Sequence, residues 1–450
     1  MNILGSFMVP HPPLIIPEVG RGREEQIRKT IDSYNEIANQ IERLNPETII
    51  ISSPHTYLFE SCFYVAHRDR IKGSFARFGA PNIEFNEEID TELVDEIYKI
   101  GEKKGFPLYD YAKIDAMELD HGTMVPLYFI RKKLPKTKIV VVGLSRLSLI
   151  TNYQFGMIIK EAIDNTNKKV VFIASGDLSH KLQEYGPYGF IKEGPIYDEK
   201  IMKTMSGAKF NELLEYDEEF LSLASECGHR SFTIMAGALD GYDVEAKQYS
   251  HEDITGVGYG ICSFYPTNIN NEREFKRIYL TSNDPCVTLA KKSIKNYLNN
   301  KEYIEPDNSL PALMLEKQAG TFVSIHKYGH LRGCIGTIMP TRENIAKEII
   351  ANAVSAAFND FRFSPITEDE LEDLEINVDI LNESEEVSSV DALDPKKYGI
   401  IVSQEYKRGV LLPDIEGVET IEQQIEIAKK KAGITDGKYY LEKFTVTRHR

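Results

Sequence analysis

The chain has 450 residues, of which 42% are hydrophobic and 27% are charged, as is typical of a soluble globular protein. This length exceeds what one hydrophobic core usually supports, so we expect two domains. The 53 basic and 69 acidic residues give a net charge of −16, which argues against general nucleic-acid binding.

The five cysteines are widely spaced and include no Cys-x-x-Cys pair. This pattern argues against a disulfide framework and against a structural zinc knuckle, and it favours a reducing compartment. The amino terminus has no basic segment ahead of an apolar one, so no signal peptide is indicated. No apolar stretch approaches the roughly 20 residues that cross a bilayer. We therefore predict a cytoplasmic protein that does not associate with a membrane.

Strand-like and helix-like segments alternate from the amino terminus to about residue 265. Helical patterns cover residues 24–44, 154–164 and 217–239, the last interrupted near Gly228. Between them lie short β-branched runs of the kind found in buried parallel strands, at residues 3–9, 48–51, 138–144 and 170–174. This order predicts an α/β amino-terminal domain with a largely parallel sheet, at residues 1–268.

The character of the chain changes after a polar segment at residues 266–284, which we interpret as a linker. Beyond it, helical patterns mix with strands and with a hairpin at residues 399–412 that is expected to turn at 406–409. This mixture predicts a smaller α+β carboxyl-terminal domain at residues 276–450.

Four histidines of the first domain lie in short loops. His11, His55 and His180 follow β-like runs, and His121 stands just before an apolar stretch. In open α/β sheets, ligands gather beyond the carboxyl ends of the strands, so imidazoles delivered there by separate strands predict a metal site. Prolines adjoin His11 and His55 and fix their loops, which makes these two the natural nitrogen ligands.

The sequence offers two adjacent candidates, Glu226 and Cys227, for the third metal ligand. Glu226 and Cys227 lie at the break in the last helical pattern, where a helix amino terminus would favour anions. Two histidines and one carboxylate, with three positions left free, form the metal site of non-haem Fe(II) oxygenases. A glutamate would suit iron and dioxygen, whereas a cysteine would favour softer metals or redox roles.

The first domain resembles class III (LigB-type) extradiol ring-cleavage dioxygenases over about residues 1–265. The motifs that carry the resemblance are, in order, Val9–Pro13, Ser53–His55, Asp120–Leu127 and Ser175–His180. The resemblance implies an oxidoreductase that uses Fe(II) and O2 on a small aromatic or diol substrate. It implies metal ligands at His11, His55 and Glu226, a catalytic base at His180 and a second catalytic histidine, near the substrate, at His121.

The same domain also resembles the Memo family, which has Cys-Gly-Arg-His where this chain has Cys227-Gly228-His229-Arg230. In that family the cysteine takes the third ligand position. That resemblance implies Cys227 as the ligand, with zinc or copper as alternatives to iron, in a metal-binding, redox or interaction protein that cleaves no ring. A zinc-dependent hydrolase, in which the metal activates water, is a third hypothesis.

The second domain resembles the AMMECR family over about residues 280–450. The motifs are Leu331–Gly336, Ala356–Pro365, Gly409–Pro413 and Glu422–Gln424. Memo-like, AMMECR-like and radical-SAM proteins together are described as the AmmeMemoRadiSam system, so the resemblance implies a radical-SAM protein as a partner. The sequence leaves the oligomeric state open.

The Leu331–Gly336 motif allows two interpretations. Its two glycines predict a tight turn around Cys334 where the backbone could approach a ligand, with Arg332 binding a carboxylate or phosphate. Alternatively, both glycines only satisfy the geometry of the turn and Cys334 fills a small pocket.

Overall fold

The computed structural model describes residues 1–110, 117–275, 284–387, 389–415, 417–435 and 437–449. The chain divides into two compact units, residues 1–278 and 279–450. No helix in the described part of the chain is both long and apolar enough to cross a membrane.

The first unit is built on a central sheet. The described strands of this unit are β1 (Ile3–Val9), β2 (Thr48–Ser53), β3 (Arg70–Phe75), β4 (Ala80–Glu88), β5 (Lys138–Gly143), β6 (Val170–Ser175), β7 (Tyr242–Glu252) and β8 (Tyr259–Ile269). Six of them form one sheet in the order β5-β2-β6-β1-β8-β7. Strands β5, β2, β6 and β1 are parallel, and β8 and β7 extend the sheet in antiparallel fashion. This topology confirms the predicted α/β domain.

Helices accompany this sheet. They are α1 (Pro17–Gly20), α2 (Arg28–Leu44), α3 (Thr91–Lys104), α4 (His121–Ile130), α5 (Leu149–Thr166), α6 (Glu193–Ser206), α7 (Glu218–Ala224) and α8 (His229–Ala238). Every residue of β2 and β6 is buried, as expected for central parallel strands covered on both faces. The predicted break in the last helical pattern is present, because Ser225 takes the left-handed conformation (φ 52°) and ends α7.

The predicted linker begins too early in the sequence. Strand β8 continues to Ile269 and pairs Pro266 with Val244 and Ile269 with Tyr242. Backbone pairing at the exposed end of a two-stranded ribbon does not require apolar side chains, so the polar composition was misleading here. Residues 276–283 of the predicted linker lie outside the described residues.

The second unit contains two small sheets. Its described strands are β9 (Thr321–Lys327), β10 (His330–Gly336), β11 (Leu374–Leu381), β12 (Glu385–Glu386), β13 (Gly399–Gln404), β14 (Lys407–Leu411), β15 (Tyr440–Phe444) and β16 (Val446–His449). The sheet orders are β10-β9-β11-β16 and β12-β15-β13-β14. The accompanying helices are α9 (Pro285–Asn300), α10 (Ala312–Glu316), α11 (Ile345–Phe358) and α12 (Ile421–Ala432). The predicted α+β class is confirmed.

Two local predictions for this unit were wrong. Cys334 lies within β10 and not in a tight turn, and its neighbour Gly333 is required for packing, since an added Cβ would overlap the carbonyl oxygen of Ala356 in α11. The later hairpin turns at Glu405–Tyr406, because the strand pairing already begins at Lys407. In both places the glycines in the sequence were mistaken for turn residues.

Arg332 does bind a carboxylate, but one from its own chain. Its guanidinium donates to both carboxylate oxygens of Glu370, at 3.0 and 2.8 Å. It also donates to the carbonyl oxygen of Ser364 at 2.7 Å. These contacts join β10 to the segment before β11, so the arginine is engaged in holding the fold together.

Candidate metal centre

Three polar side chains lie at equivalent positions at one edge of the central sheet. His11, His55 and Asp177 each stand two residues beyond the last residue of a strand, after β1, β2 and β6 respectively. These strands are parallel neighbours, so their carboxyl ends meet at the same edge. Nε2 of His11 lies 3.0 Å from Nε2 of His55. The two predicted nitrogen ligands are therefore adjacent, and their binding of a metal stays a prediction.

His121 joins this pair from the first position of α4. Its N-cap, Asp120, accepts hydrogen bonds from the backbone N–H of Thr123 and the hydroxyl of Ser53. This cap fixes the start of the helix, where His121 is the first residue. The His121 ring stacks on the His55 ring, with centroids 4.0 Å apart. One nitrogen from each of the three histidines lies within 4.8 Å of the others.

A second group of donors shares His11. Oδ2 of Asp177 lies 3.8 Å from Nε2 of His11, and Sγ of Cys227 lies 3.6 Å from the same nitrogen. The backbone N–H of Asp177 donates to Cys227 Sγ at 3.3 Å. We did not predict Asp177 as a site residue. Its position two residues past a buried strand, equivalent to the positions of His11 and His55, was the signal that could have identified it.

Glu226 lies beside this cluster but is not a member of the donor groups found among the described residues. Its carboxylate accepts the backbone N–H of His229 at 2.6 Å and so caps the amino terminus of α8. Burial raises the pKa of Glu226 to about 7. Its predicted role as the third ligand stays a prediction, as does that of Cys227.

Two hydrogen bonds define which nitrogen of His11 carries the proton. The hydroxyl of Ser175 donates to the carbonyl oxygen of Gly122 at 2.6 Å, because a carbonyl oxygen can only accept. The Ser175 hydroxyl has no second proton to donate. Its oxygen must therefore accept the N–H of His11 Nδ1, which lies 2.9 Å away. Neutral His11 therefore presents a lone pair on Nε2, the atom that faces His55.

The same logic orients His180. Its Nδ1 lies 2.6 Å from the carbonyl oxygen of Ser225 and must donate to it. Nε2 is then free to accept a proton, and it lies 3.9 Å from Oδ2 of Asp177. The exposed ring of Tyr188 packs edge-on against His180 at 5.2 Å between centroids. Phe78 makes the equivalent contact with His121 at 5.4 Å.

The electrostatics of the cluster keep the imidazoles neutral. Burial lowers the pKa of His11, and the neighbouring His55 and His121 lower it further. Desolvation also lowers the pKa of His55, although this ring keeps some contact with solvent. Burial lowers the pKa of His121 to about 4. Burial acts in the opposite direction on the thiol of Cys227 and raises its pKa. At neutral pH these rings offer lone pairs.

This donor set fits a divalent cation. Two ligands at right angles around a cation, each about 2.1 Å away, are about 3.0 Å apart. The His11–His55 separation of 3.0 Å agrees with that arrangement. Neutral imidazoles together with a carboxylate or thiol are ligands that iron, zinc and copper accept in proteins.

Gly176 makes this geometry sterically feasible. A Cβ at this position would overlap the Cα of Gly228, so the loop after β6 contacts the loop before α8 directly through backbone. These two loops carry Asp177 and Cys227. The glycine pair therefore allows donors from distant parts of the sequence to reach His11.

Two family models match this chain. Residues 5–262 match the family model described as the catalytic LigB subunit of aromatic ring-opening dioxygenase. The chain belongs to the LigB family. Residues 287–450 match the AMMECR1 family model. The predicted fusion of a LigB-type domain to an AMMECR-type domain is confirmed.

The chain is similar over all or part of its length to several other proteins. A protein of Clostridium acetobutylicum is 41% identical, and the alignment covers 100% of both chains. A protein of Thermotoga maritima is 50% identical over 169 residues, which cover 37% of this chain and 97% of that protein. A crystal structure of an uncharacterized protein from Escherichia coli K12 aligns with 58% of this chain and 99% of its own at 12% identity and a TM-score of 0.42.

Proposed function

We propose that the LigB-type domain is a metal-dependent oxidoreductase that opens the ring of a small aromatic diol with O2. The observation that carries this proposal is the close approach of the two Nε2 atoms of His11 and His55, 3.0 Å apart at the carboxyl edge of the sheet. Membership of the LigB family supports the reaction class.

His11 and His55 would supply two nitrogen ligands. The carboxylate of Asp177, whose Oδ2 lies 3.8 Å from Nε2 of His11, groups with that histidine among the described residues, and Glu226 is the carboxylate that the family resemblance implies. Fe(II), when bound, supplies open coordination positions for diol and dioxygen and the redox chemistry of ring cleavage. Zinc or copper in its place would point to different chemistry.

The remaining residues would move protons and stabilise charge. Nε2 of His180 carries the lone pair, because Nδ1 is held by the carbonyl of Ser225, so it would accept a proton from a substrate hydroxyl. His121, whose pKa burial lowers to about 4, stays neutral and would donate a hydrogen bond to a substrate oxygen without losing its proton.

The test is an assay of anaerobically purified protein reconstituted with Fe(II). We expect oxygen consumption and a yellow ring-opened product with at least one member of a catechol panel. His180→Ala should keep the metal and lose turnover about 10²–10⁴-fold, whereas His55→Ala should lose the metal. His67→Ala is the control, because His67 pairs with Asp95 and Asp110 outside the donor groups. Full metal content with no turnover on any diol would contradict the proposal.

Cys227 favours a second candidate function. Its sulfur, and not the carboxylate of Glu226, groups with His11 and Asp177. A thiolate ligand would suit a Memo-like metal-binding or redox protein that works with a radical-SAM partner. Copper or zinc in the purified protein, no diol turnover, and co-elution with a purified radical-SAM protein encoded in the same genome would support this alternative.

A further inference from the structure

Asp198 is a buried acidic residue that the proposed mechanism does not use. It lies in α6 and is 3% exposed. Its Oδ1 accepts the backbone N–H of Ser179 at 2.8 Å, and Ser179 directly precedes His180, the predicted base. Its Oδ2 lies 3.0 Å from Nε2 of His251 in β7. A buried carboxylate therefore holds the backbone next to the base.

The other hydrogen bonds of Ser179 leave this part of the backbone little freedom. Its carbonyl oxygen accepts the N–H of Gly258 at 2.8 Å, and the N–H of Leu178 donates to the carbonyl oxygen of Gly258 at 2.8 Å. Its hydroxyl donates to the carbonyl oxygen of Ala224 at 2.8 Å. Every polar group of Ser179 thus has a partner, and Asp198 is the one side chain among these partners in the described part of the chain.

An acidic side chain is unfavourable at such a buried position. Burial raises the pKa of Asp198, and the hydrogen bonds from His251 and Ser179 offset only part of this effect. Gly258 leaves room for the carboxylate, because an added Cβ would overlap Oδ2 of Asp198. An apolar side chain would avoid the desolvation of a carboxylate but would leave the N–H of Ser179 without an acceptor. The acceptor is therefore what this position supplies to the fold.

The direction of the His180 ring depends on where its backbone lies. The hydrogen bond from Nδ1 to the carbonyl oxygen of Ser225 is 2.6 Å long and leaves the lone pair of the ring on Nε2. A displaced backbone would lengthen this hydrogen bond and move Nε2 away from a substrate hydroxyl. A misplacement of about 1 Å can lower the rate of an enzyme about 10²-fold.

We propose that Asp198 is a positioning residue, which fixes the backbone beside His180 and thereby directs Nε2 of this base towards the substrate. His251 supports the arrangement by holding the second carboxylate oxygen in place. The proposal rests on the proposed function, because it takes His180 as the base. The hydrogen bond of the His180 ring can be measured without turnover, so the two proposals can fail separately.

The kinetic test uses the full-length protein reconstituted with Fe(II). Asp198→Ala should lower kcat about 10–100-fold, with KM and metal content close to those of the wild type, because Asp198 lies outside the described donor groups. Asp198→Asn should recover most of the rate, since its amide oxygen can still accept the N–H of Ser179. Equal losses in Asp198→Ala and Asp198→Asn, or a rise in KM with unchanged kcat, would overturn the proposal.

Asp240→Ala is the matched control. Asp240 is also buried and also accepts a backbone N–H, that of Phe275, at 2.7 Å. It follows the last turn of α8, whereas the candidate metal centre lies by the first turn of that helix. We expect Asp240→Ala to lower stability and to keep kcat. A fall in kcat as large as that in Asp198→Ala would show that loss of any buried carboxylate has this effect, and would overturn the proposal.

Nuclear magnetic resonance gives the readout that needs no turnover. In full-length protein labelled with 15N-histidine and free of paramagnetic metal, the His180 signals are those that His180→Gln removes. The wild type should show a protonated Nδ1, and its N–H should exchange with solvent about tenfold faster in Asp198→Ala but not in Asp198→Asn or Asp240→Ala. If Asp198→Ala does not fold, Asp198→Ser takes its place, because its shorter side chain is still polar. Unchanged exchange would overturn the positioning role, whereas the expected exchange in a protein that turns over no diol would contradict the proposed function alone.

Discussion

Ser175 determines the tautomer of His11, although 164 positions separate them in the sequence. The serine hydroxyl accepts Nδ1–H of His11 at 2.9 Å and donates to the carbonyl of Gly122 at 2.6 Å. A metal ligand needs its lone pair on the atom that faces the cation, and this relay provides it on Nε2. The relay also connects β6 to the start of α4, where His121 lies.

Ser175→Ala should weaken metal binding about 10–100-fold, the range found when partners of ligating histidines are removed. Nδ1–H of His11 and the carbonyl of Gly122 would both lose their partner. A chelator-competition titration measures the affinity. Ser6→Ala is the control, because the Ser6 hydroxyl is buried on β1 of the same sheet and has no hydrogen-bond partner in the described residues. Equal affinities for the two variants would show that Ser175 does not orient His11.

The third metal ligand can be identified by three isosteric substitutions. Asp177→Asn and Cys227→Ser each alter a donor close to Nε2 of His11, and we expect both to lower metal affinity. Glu226→Gln should have a smaller effect, because its carboxylate is engaged with the backbone N–H of His229. Metal content after gel filtration is the measurement. Loss of metal in Glu226→Gln alone would establish instead the ligand set that the LigB resemblance implies.

Gly176→Ala should damage both stability and the site. The added methyl group would overlap the backbone of Gly228 and separate the loops that carry Asp177 and Cys227. We expect a loss of about 1–3 kcal/mol in the free energy of unfolding, as is typical of overpacking, together with weaker metal binding. Denaturant titration and metal content measure the two effects. Gly207→Ala is the control, because its nearest heavy atom would be 3.3 Å from the new Cβ.

Tyr188 should contribute to substrate affinity if the site binds an aromatic ring. Its ring is 54% exposed and contacts His180 edge-on, so it lies where a planar substrate would approach the base. Tyr188→Ala should raise KM about tenfold with little change in kcat, whereas Tyr188→Phe should be nearly neutral. Tyr185→Ala, at an 88% exposed position of the same loop, is the control. A fall in kcat without a change in KM would instead indicate that Tyr188 positions His180.

The Arg332–Glu370 pair should make the second unit sensitive to acid. Burial alone would raise the pKa of Glu370. The hydrogen bonds from Arg332 and from the backbone of Thr367, together with the positive charges of Arg332 and Lys327, outweigh this effect and lower the pKa from 4.5 to about 2. A lowered folded-state pKa stabilises the protein above pH 4.5, and this contribution is lost as the pH falls from 4.5 towards 2.

Glu370→Gln should therefore remove stability on the order of 2 kcal/mol at pH 7, after allowance for partial solvent exposure, and little at pH 2. Thermal unfolding across this pH range measures the effect. Arg332→Lys should also destabilise, because an ammonium group cannot reproduce the two-pronged contact. A difference between Glu370→Gln and wild type that is independent of pH would contradict this account.

The sequence by itself determined the class of both domains and the positions of the four histidines in the first. Continuous β-branched runs identify buried parallel strands because both faces of such strands are covered. Polar residues just beyond these strands fall at one edge because the strands run in the same direction. Local pattern was less informative where backbone pairing or packing decided the outcome, as in the extension of β8 through Pro266 and in the glycines beside Cys334.

Only the tertiary structure decided which side chains meet. The hydrogen bond between Ser175 and His11 joins residues that are far apart along the chain. So does the approach of Asp177 and Cys227 across the Gly176–Gly228 contact. Such contacts depend on strand order and on the close approach of loops, which no local sequence pattern encodes. Arg332 illustrates the same point, because its chemistry predicted a carboxylate partner and only the fold identified that partner as Glu370.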